Sequence, residues 1–123
     1  MRYNGAMKYA ADMRPVLSVR LYTKEKCFGP GIAELLSRVR RLRSLRAAAA
    51  SMDMAYSKAW RIVKETEQAL GFELLLSTTG GKHGGGAELT QDAVKLLDDY
   101  TQFLEDLRAA AQTLFDERFG SSN

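Results

Sequence analysis

The sequence predicts a mainly α-helical fold with a small β wing, and three features lead there. Two short segments with apolar residues at helical spacing, about Ile32 to Leu42 and Leu45 to Ser51, are followed at once by a third, about Tyr56 to Leu70. A glycine-rich loop, Thr79-Gly80-Gly81-Lys82-His83-Gly84-Gly85-Gly86, separates two short strand-like stretches. A last segment from Thr90 to about Arg118 carries apolar residues at helical spacing along its whole length.

Each element has its own signal. Residues 1–14 show no periodicity and read as a leader, with residues 15–123 as one domain. After Pro15, the stretch Val16 to Tyr22 alternates as a strand does, and Cys27-Phe28 can pair back on it as a short hairpin. Gly29-Pro30-Gly31 punctuates the chain and sets up a helix start. Ile32, Leu35, Leu36, Val39 and Leu42 then share one face of the first helix. Ser44 is a natural N-cap for the second, alanine-rich helix. Asp53 is a workable turn residue before the third helix, which Gly71 stops.

In that third helix Ala59, Val63, Thr66 and Leu70, with Trp60 or Ile62 beside them, are expected to pack inward. Two short helices joined by a tight turn make a helix-turn-helix. Phe72 to Ser77 and Ala87 to Leu89 read as the strands of a hairpin around the glycine-rich tip, where glycine lets the backbone approach another surface. Thr90 caps the last helix, with Asp92 at its positive end. Ala93, Leu97, Tyr100, Leu104, Leu107, Ala111 and Leu114 follow a heptad there, and a stripe that wide can serve the domain's own core and a second chain. The predicted architecture is a winged helix-turn-helix plus a long C-terminal dimerisation helix.

Charge divides the chain. Residues 1–64 hold fourteen Lys and Arg against four acids, and the remainder holds four against eleven, within an overall net charge of +3. One half is suited to a polyanion and the other to water or a partner. The single Cys27 and single His83 offer no zinc-site spacing, so neither a metal nor a cofactor is expected. No segment reaches the ~18 apolar residues of a membrane span, and a cytoplasmic location follows as the expectation. No nucleophile–base pair marks an enzyme.

The residues Phe28-Gly29-Pro30-Gly31, Ser44-Leu45-Arg46-Ala47-Ala48-Ala49, Tyr56-Ser57-Lys58-Ala59-Trp60, Gly80 to Ala87 and Leu89-Thr90 resemble the winged-helix domain of molybdate-responsive ModE-type regulators, relatives of the LysR-type N-terminal domain. The resemblance covers about residues 16–115 and implies a homodimer on palindromic double-stranded DNA. Asp53 stands where the turn glycine is usual, Ala55 where a capping serine is common, and Ala93 where a glycine often follows the Leu-Thr pair. These 123 residues hold no counterpart of the C-terminal molybdate-binding domains, so molybdate binding is not expected of them.

The expected DNA-contacting set is Arg43, Ser44, Arg46, Tyr56, Ser57, Lys58, Arg61, Lys64 and the wing residues Lys82 and His83. Lys58, Arg61, Lys64 and Lys82 would neutralise phosphates, while Tyr56, Ser57, Lys58 and Arg61 would enter the major groove. The expected dimerisation set is Leu97, Tyr100, Leu104, Leu107, Ala111 and Leu114. Each residue also has a plainer reading. Trp60 reads as core, Tyr56 as either packing or a phosphate contact, and His83 as a solvated residue. Two alternatives remain open: an adaptor module that pairs with a separate effector-binding protein, and a phosphate or nucleotide site at the glycine-rich loop. The second conflicts with Lys82 being followed by His83 and a strand rather than by Ser or Thr and a helix.

Overall fold

A computed structural model describes residue 9, residues 11–78 and residues 85–120. The chain forms two compact units: Ser18–Thr101, and Met1–Leu17 with Gln102–Asn123. The elements in order are β1 (Leu21–Tyr22), β2 (Lys26–Phe28), α1 (Pro30–Leu42), α2 (Leu45–Ser51), α3 (Tyr56–Leu70), β3 (Leu75–Thr78), β4 (Gly86–Leu89) and α4 (Gln91–Phe119). The last helix begins in the first unit and ends in the second.

Local chemistry sets the ends of the helices. Pro30 opens α1, where its missing N–H would have had no helical partner. Arg43 closes α1 in a left-handed conformation, φ 62°, with its N–H donating to the Val39 carbonyl. Ser44 then caps α2, its Oγ accepting from the Ala47 N–H at 2.9 Å. The turn between α2 and α3 passes through Asp53 at φ 55°, and the Met54 N–H returns to the Ala49 carbonyl at 2.9 Å. Gly71 ends α3 at φ 89°, a conformation a side chain would strain. Thr90 caps α4, its Oγ1 accepting from the Ala93 N–H at 3.0 Å, and the same hydroxyl donates to the Glu73 carbonyl at 2.7 Å, tying the helix start to the residue two before β3.

The core of the first unit lies where α1, α2, α3 and the start of α4 meet. Leu35, Leu36 and Val39 of α1 are fully buried, as are Ala48 of α2, Ala59 of α3, Leu74 and Ala93. The alanines let the helices approach closely, while each buried leucine contributes roughly 1.5–3 kcal/mol of apolar burial. The Phe28 ring meets the Tyr100 ring edge-on at 5.1 Å. The Tyr100 hydroxyl donates to the Val19 carbonyl at 2.7 Å, holding the stretch before β1 in place. Arg38 links α1 to α2 by donating to the Ser51 carbonyl at 2.8 Å, and Arg40 pairs with Asp98 of α4 at 2.9 Å.

The two hairpins are shorter or shifted relative to the expectation. Only Leu21 and Tyr22 of the alternating stretch pair with β2, because that strand has three residues before Gly29-Pro30 and its register slips between Leu21 and Tyr22. Beyond Leu21 the ladder has no strand residue left to pair with. The wing strand starts at Leu75 rather than Phe72. Leu74 lies opposite Thr90, whose N–H donates to its carbonyl at 2.9 Å, but its own N–H is diverted to the Glu67 carboxylate at 2.8 Å. Leu42, expected on the buried face of α1, occupies its final position and is exposed.

In the second unit Leu104, Leu107 and Ala111 are half-buried on α4 and Leu114 is exposed. The Phe115 ring stacks on Phe119 at 4.9 Å, and the Tyr9 ring meets Phe119 edge-on at 5.4 Å. Of the leader at residues 1–14, residues 1–8 and 10 lie outside the described residues.

Candidate nucleic-acid interface

The interface is assembled from α3, the residues joining α1 to α2, and the wing strands. Helix α3 buries Ala59 and Val63 and half-buries Ile62, Thr66 and Leu70. Helical spacing then leaves Ser57, Lys58, Arg61, Lys64, Glu65 and Gln68 exposed on the opposite side. Among the described residues Lys58 enters no ion pair. Arg61 stands 3.9 Å from Glu65, and Lys64 lies 3.3 Å from Glu67. An exposed i,i+4 pair such as Arg61 with Glu65 contributes only about 0.3–0.5 kcal/mol, so a phosphate can displace it.

The segment 43–46 joins the parts. The Arg43 carbonyl, aimed by the left-handed backbone there, accepts from the Ala87 N–H of β4 at 3.0 Å. Gly86 makes that approach possible, since a Cβ at Gly86 would come within 2.7 Å of the Arg43 carbonyl oxygen and 2.8 Å of Thr78 Oγ1. On the other side the Arg46 guanidinium lies 4.1 Å above the centroid of the Tyr56 ring, at the first turn of α3. The hydroxyl of Ser44, between the two arginines, serves as the cap of α2. Both Arg43 and Arg46 are exposed.

The wing strands β3 and β4 are antiparallel, pairing Leu75 with Leu89, Leu76 with Glu88, Ser77 with Ala87 and Thr78 with Gly86. Lys82 and His83, and most of the glycine-rich loop weighed as a phosphate site, lie outside the described residues.

Three features escaped the sequence. Trp60, expected in the core, is 49% exposed, with the Lys64 ammonium 5.5 Å from its ring centroid. Trp60 follows Ala59 directly, so it turns about 100° away from the buried line on a 3.6-residue helix. That angle was the available signal, and the apolar character of the indole outweighed it. The pairing of Arg46 with Tyr56 crosses between helices and has no local signature. The left-handed Arg43 had none either, because glycine or asparagine usually occupies such a position.

The long helix divides the expected pairing stripe. Leu97 and Tyr100 are 5% and 4% exposed and pack in the chain's own core. Leu104, Leu107, Ala111 and Leu114 lie further along α4, in the second unit. Among the described residues, no helix is long and apolar enough to cross a membrane.

Two helices joined by a tight turn, a hairpin bonded to the segment between the first two helices, and a cationic exposed face on the third define a winged helix-turn-helix domain. Residues 33–94 match the bacterial regulatory helix-turn-helix proteins of the LysR family, and the chain belongs to that family of DNA-binding transcription regulators. It is 35% identical over 63 residues to the molybdenum transport protein ModE of Herbaspirillum seropedicae, covering 51% of this chain and 23% of that protein. It is 36% identical over 66 residues to the molybdenum-pterin-binding protein MopB of Rhodobacter capsulatus, covering 54% of this chain and 24% of the relative. The matched region therefore spans about a quarter of each of these relatives.

Proposed function

We propose that this chain acts as a homodimeric, sequence-specific DNA-binding regulator that reads the major groove with α3. The observation that carries the reading is the convergence on segment 43–46: Arg43 is bonded to wing strand β4 and Arg46 is stacked over the first residue of α3. In this reading Arg43, Ser44 and Arg46 hold phosphates flanking the groove, and Lys82 and His83 of the wing meet the adjacent backbone. Tyr56, Ser57, Lys58 and Arg61 face base edges, with Lys64 toward the phosphate wall. Phosphate neutralisation supplies salt-dependent affinity common to all sequences. A good bidentate base contact adds roughly 1–3 kcal/mol of discrimination.

A single domain reads too few base pairs for selectivity, which is why pairing belongs to the proposal. Its surface is the part of the stripe outside the chain's own core, Leu104, Leu107, Ala111 and Leu114. The site of action would be the cytoplasm, where bacterial DNA lies. No molybdate-binding role is assigned to these residues, since the names of the relatives describe proteins about four times the length of the match.

Titration of Arg61→Ala and Lys82→Ala on selected and random duplexes tests this function. Arg61→Ala should lose roughly 1–3 kcal/mol on the selected duplex and relax preference at one position. Lys82→Ala should weaken both duplexes alike and lower the salt slope by about 1. Affinities unchanged in both variants would overturn the reading.

A further inference from the structure

The row of side chains Tyr56, Trp60 and Lys64, spaced one turn apart on α3, carries an inference about what the helix reads. These residues follow one another along a single side of the helix. Arg46 lies over the first ring at 4.1 Å and Lys64 beside the second at 5.5 Å, so two cations bracket two aromatic rings. Trp60 is 49% exposed while Ala59 beside it is fully buried. An exposed cation–π contact is weak, and it leaves about half of the Trp60 surface accessible.

The row lies to one flank of the exposed arc whose middle holds Ser57 and Arg61. Hydrogen-bonding base edges suit those two central residues, and an indole ring suits an apolar group. The major-groove edge of a base pair offers one such group, the C5-methyl of thymine. That methyl projects on the side of the base nearest its own strand's backbone. A ring flanked by phosphate-seeking cations is placed to meet it.

We propose that Trp60 is a specificity-determining residue that recognises the C5-methyl group of thymine through its exposed indole ring. The proposal rests on α3 entering the major groove. Within that frame Arg46 and Lys64 anchor the backbone on either side of the ring row. Tyr56 supports the row from the helix start.

The test begins with duplexes selected from a randomised pool by the unmutated full chain. Each thymine of the selected sequence is then replaced singly by deoxyuridine, which removes the methyl and keeps the hydrogen-bonding edge. Binding by fluorescence anisotropy is compared for the unmutated protein, Trp60→Ala, Trp60→Gln and Trp60→Phe. At one or more positions the unmutated protein should lose about fourfold, the factor for one buried methyl group. Trp60→Ala and Trp60→Gln should bind the thymine and uracil forms there equally, and Trp60→Phe should keep part of the difference.

Glutamine serves as the second variant because it is a good helix former, and circular dichroism melting checks that each variant folds. Full methyl discrimination in folded Trp60→Ala or Trp60→Gln would overturn the proposal, as would no uracil penalty at any position in the unmutated protein. Failure of the unmutated chain to select any sequence is a different result, and it would overturn the groove-reading function itself.

Discussion

The N–H of Ala87 donates to the carbonyl of Arg43 across 3.0 Å, so the wing is bonded directly to the turn between α1 and α2. The bond exists because Arg43 holds a left-handed backbone at φ 62° and because Gly86 has no side chain. Both features carry a stability cost at their own positions. Both are explained by fixing the wing relative to the helix-turn-helix.

Gly86→Ala should therefore damage the wing more than a surface glycine substitution does. The added Cβ would sit 2.7 Å from a backbone oxygen and 2.8 Å from Thr78 Oγ1, and the backbone contact cannot yield without moving β4 or segment 43–46. Overpacking of this type costs typically 1–3 kcal/mol. Thermal melting should show that loss, and DNA affinity measured well below the melting temperature should fall as well. An unchanged melting temperature would mean that β4 shifts freely and that the bond to Arg43 matters little.

Arg46 and Tyr56 predict a second, separable effect. Tyr56→Phe keeps the ring under the guanidinium and should leave both stability and DNA affinity nearly as they are; a drop in affinity alone would show that the hydroxyl itself meets the DNA. Arg46→Ala removes one phosphate-neutralising charge and should lower the slope of log affinity against log salt by about 0.9. Arg46→Lys should restore the slope but not the full affinity, since an ammonium stacks on a ring less well than a planar guanidinium. A salt slope unaltered in Arg46→Ala would show that this arginine packs on Tyr56 without touching the DNA backbone.

Much of the fold was legible because its signals are local. The bounds of α2 and α3, the Ser44 and Thr90 caps, the Asp53 turn and the Gly71 stop all depend on residues within a few positions of one another. The errors came where a distant partner decides. The Leu74 N–H leaves the wing ladder for the Glu67 carboxylate, and the first hairpin is cut short by the length of β2. At the site, the exposed cations of α3 followed from periodicity, but the contact of Arg46 with Tyr56 depends on how α2 meets α3. The heptad on α4 shows the same limit. Its repeat runs unbroken past Tyr100, and only the surrounding packing assigns Leu97 and Tyr100 to the chain's own core.

That division of α4 separates two kinds of failure. Leu97→Ala removes a side chain that is 5% exposed and should destabilise the fold by about 2–5 kcal/mol. Leu104→Asp, at a half-buried position in the other unit, should instead convert a dimer to a folded monomer. Sedimentation equilibrium combined with melting distinguishes them. A Leu104→Asp protein that sediments as a dimer would place the pairing surface elsewhere on the chain.

Ala55 offers a gain rather than a loss. It occupies the N-cap of α3 with extended backbone, φ −65° and ψ 143°, and supplies no side-chain acceptor to the first turn. A serine there meets no conformational objection, because the N-cap normally has extended backbone. Its hydroxyl could accept from an N–H of the first turn, as Ser44 does for α2. Ala55→Ser should then stabilise the protein by about 0.5–2 kcal/mol, the usual difference between a capping residue and alanine. For DNA binding the expected sign is the same, since the cap fixes the first turn that carries Tyr56, Ser57 and Lys58. A melting temperature that rises while affinity falls would mean that the uncapped N–H groups at the start of α3 bind phosphate themselves, and that the serine competes with the DNA for them.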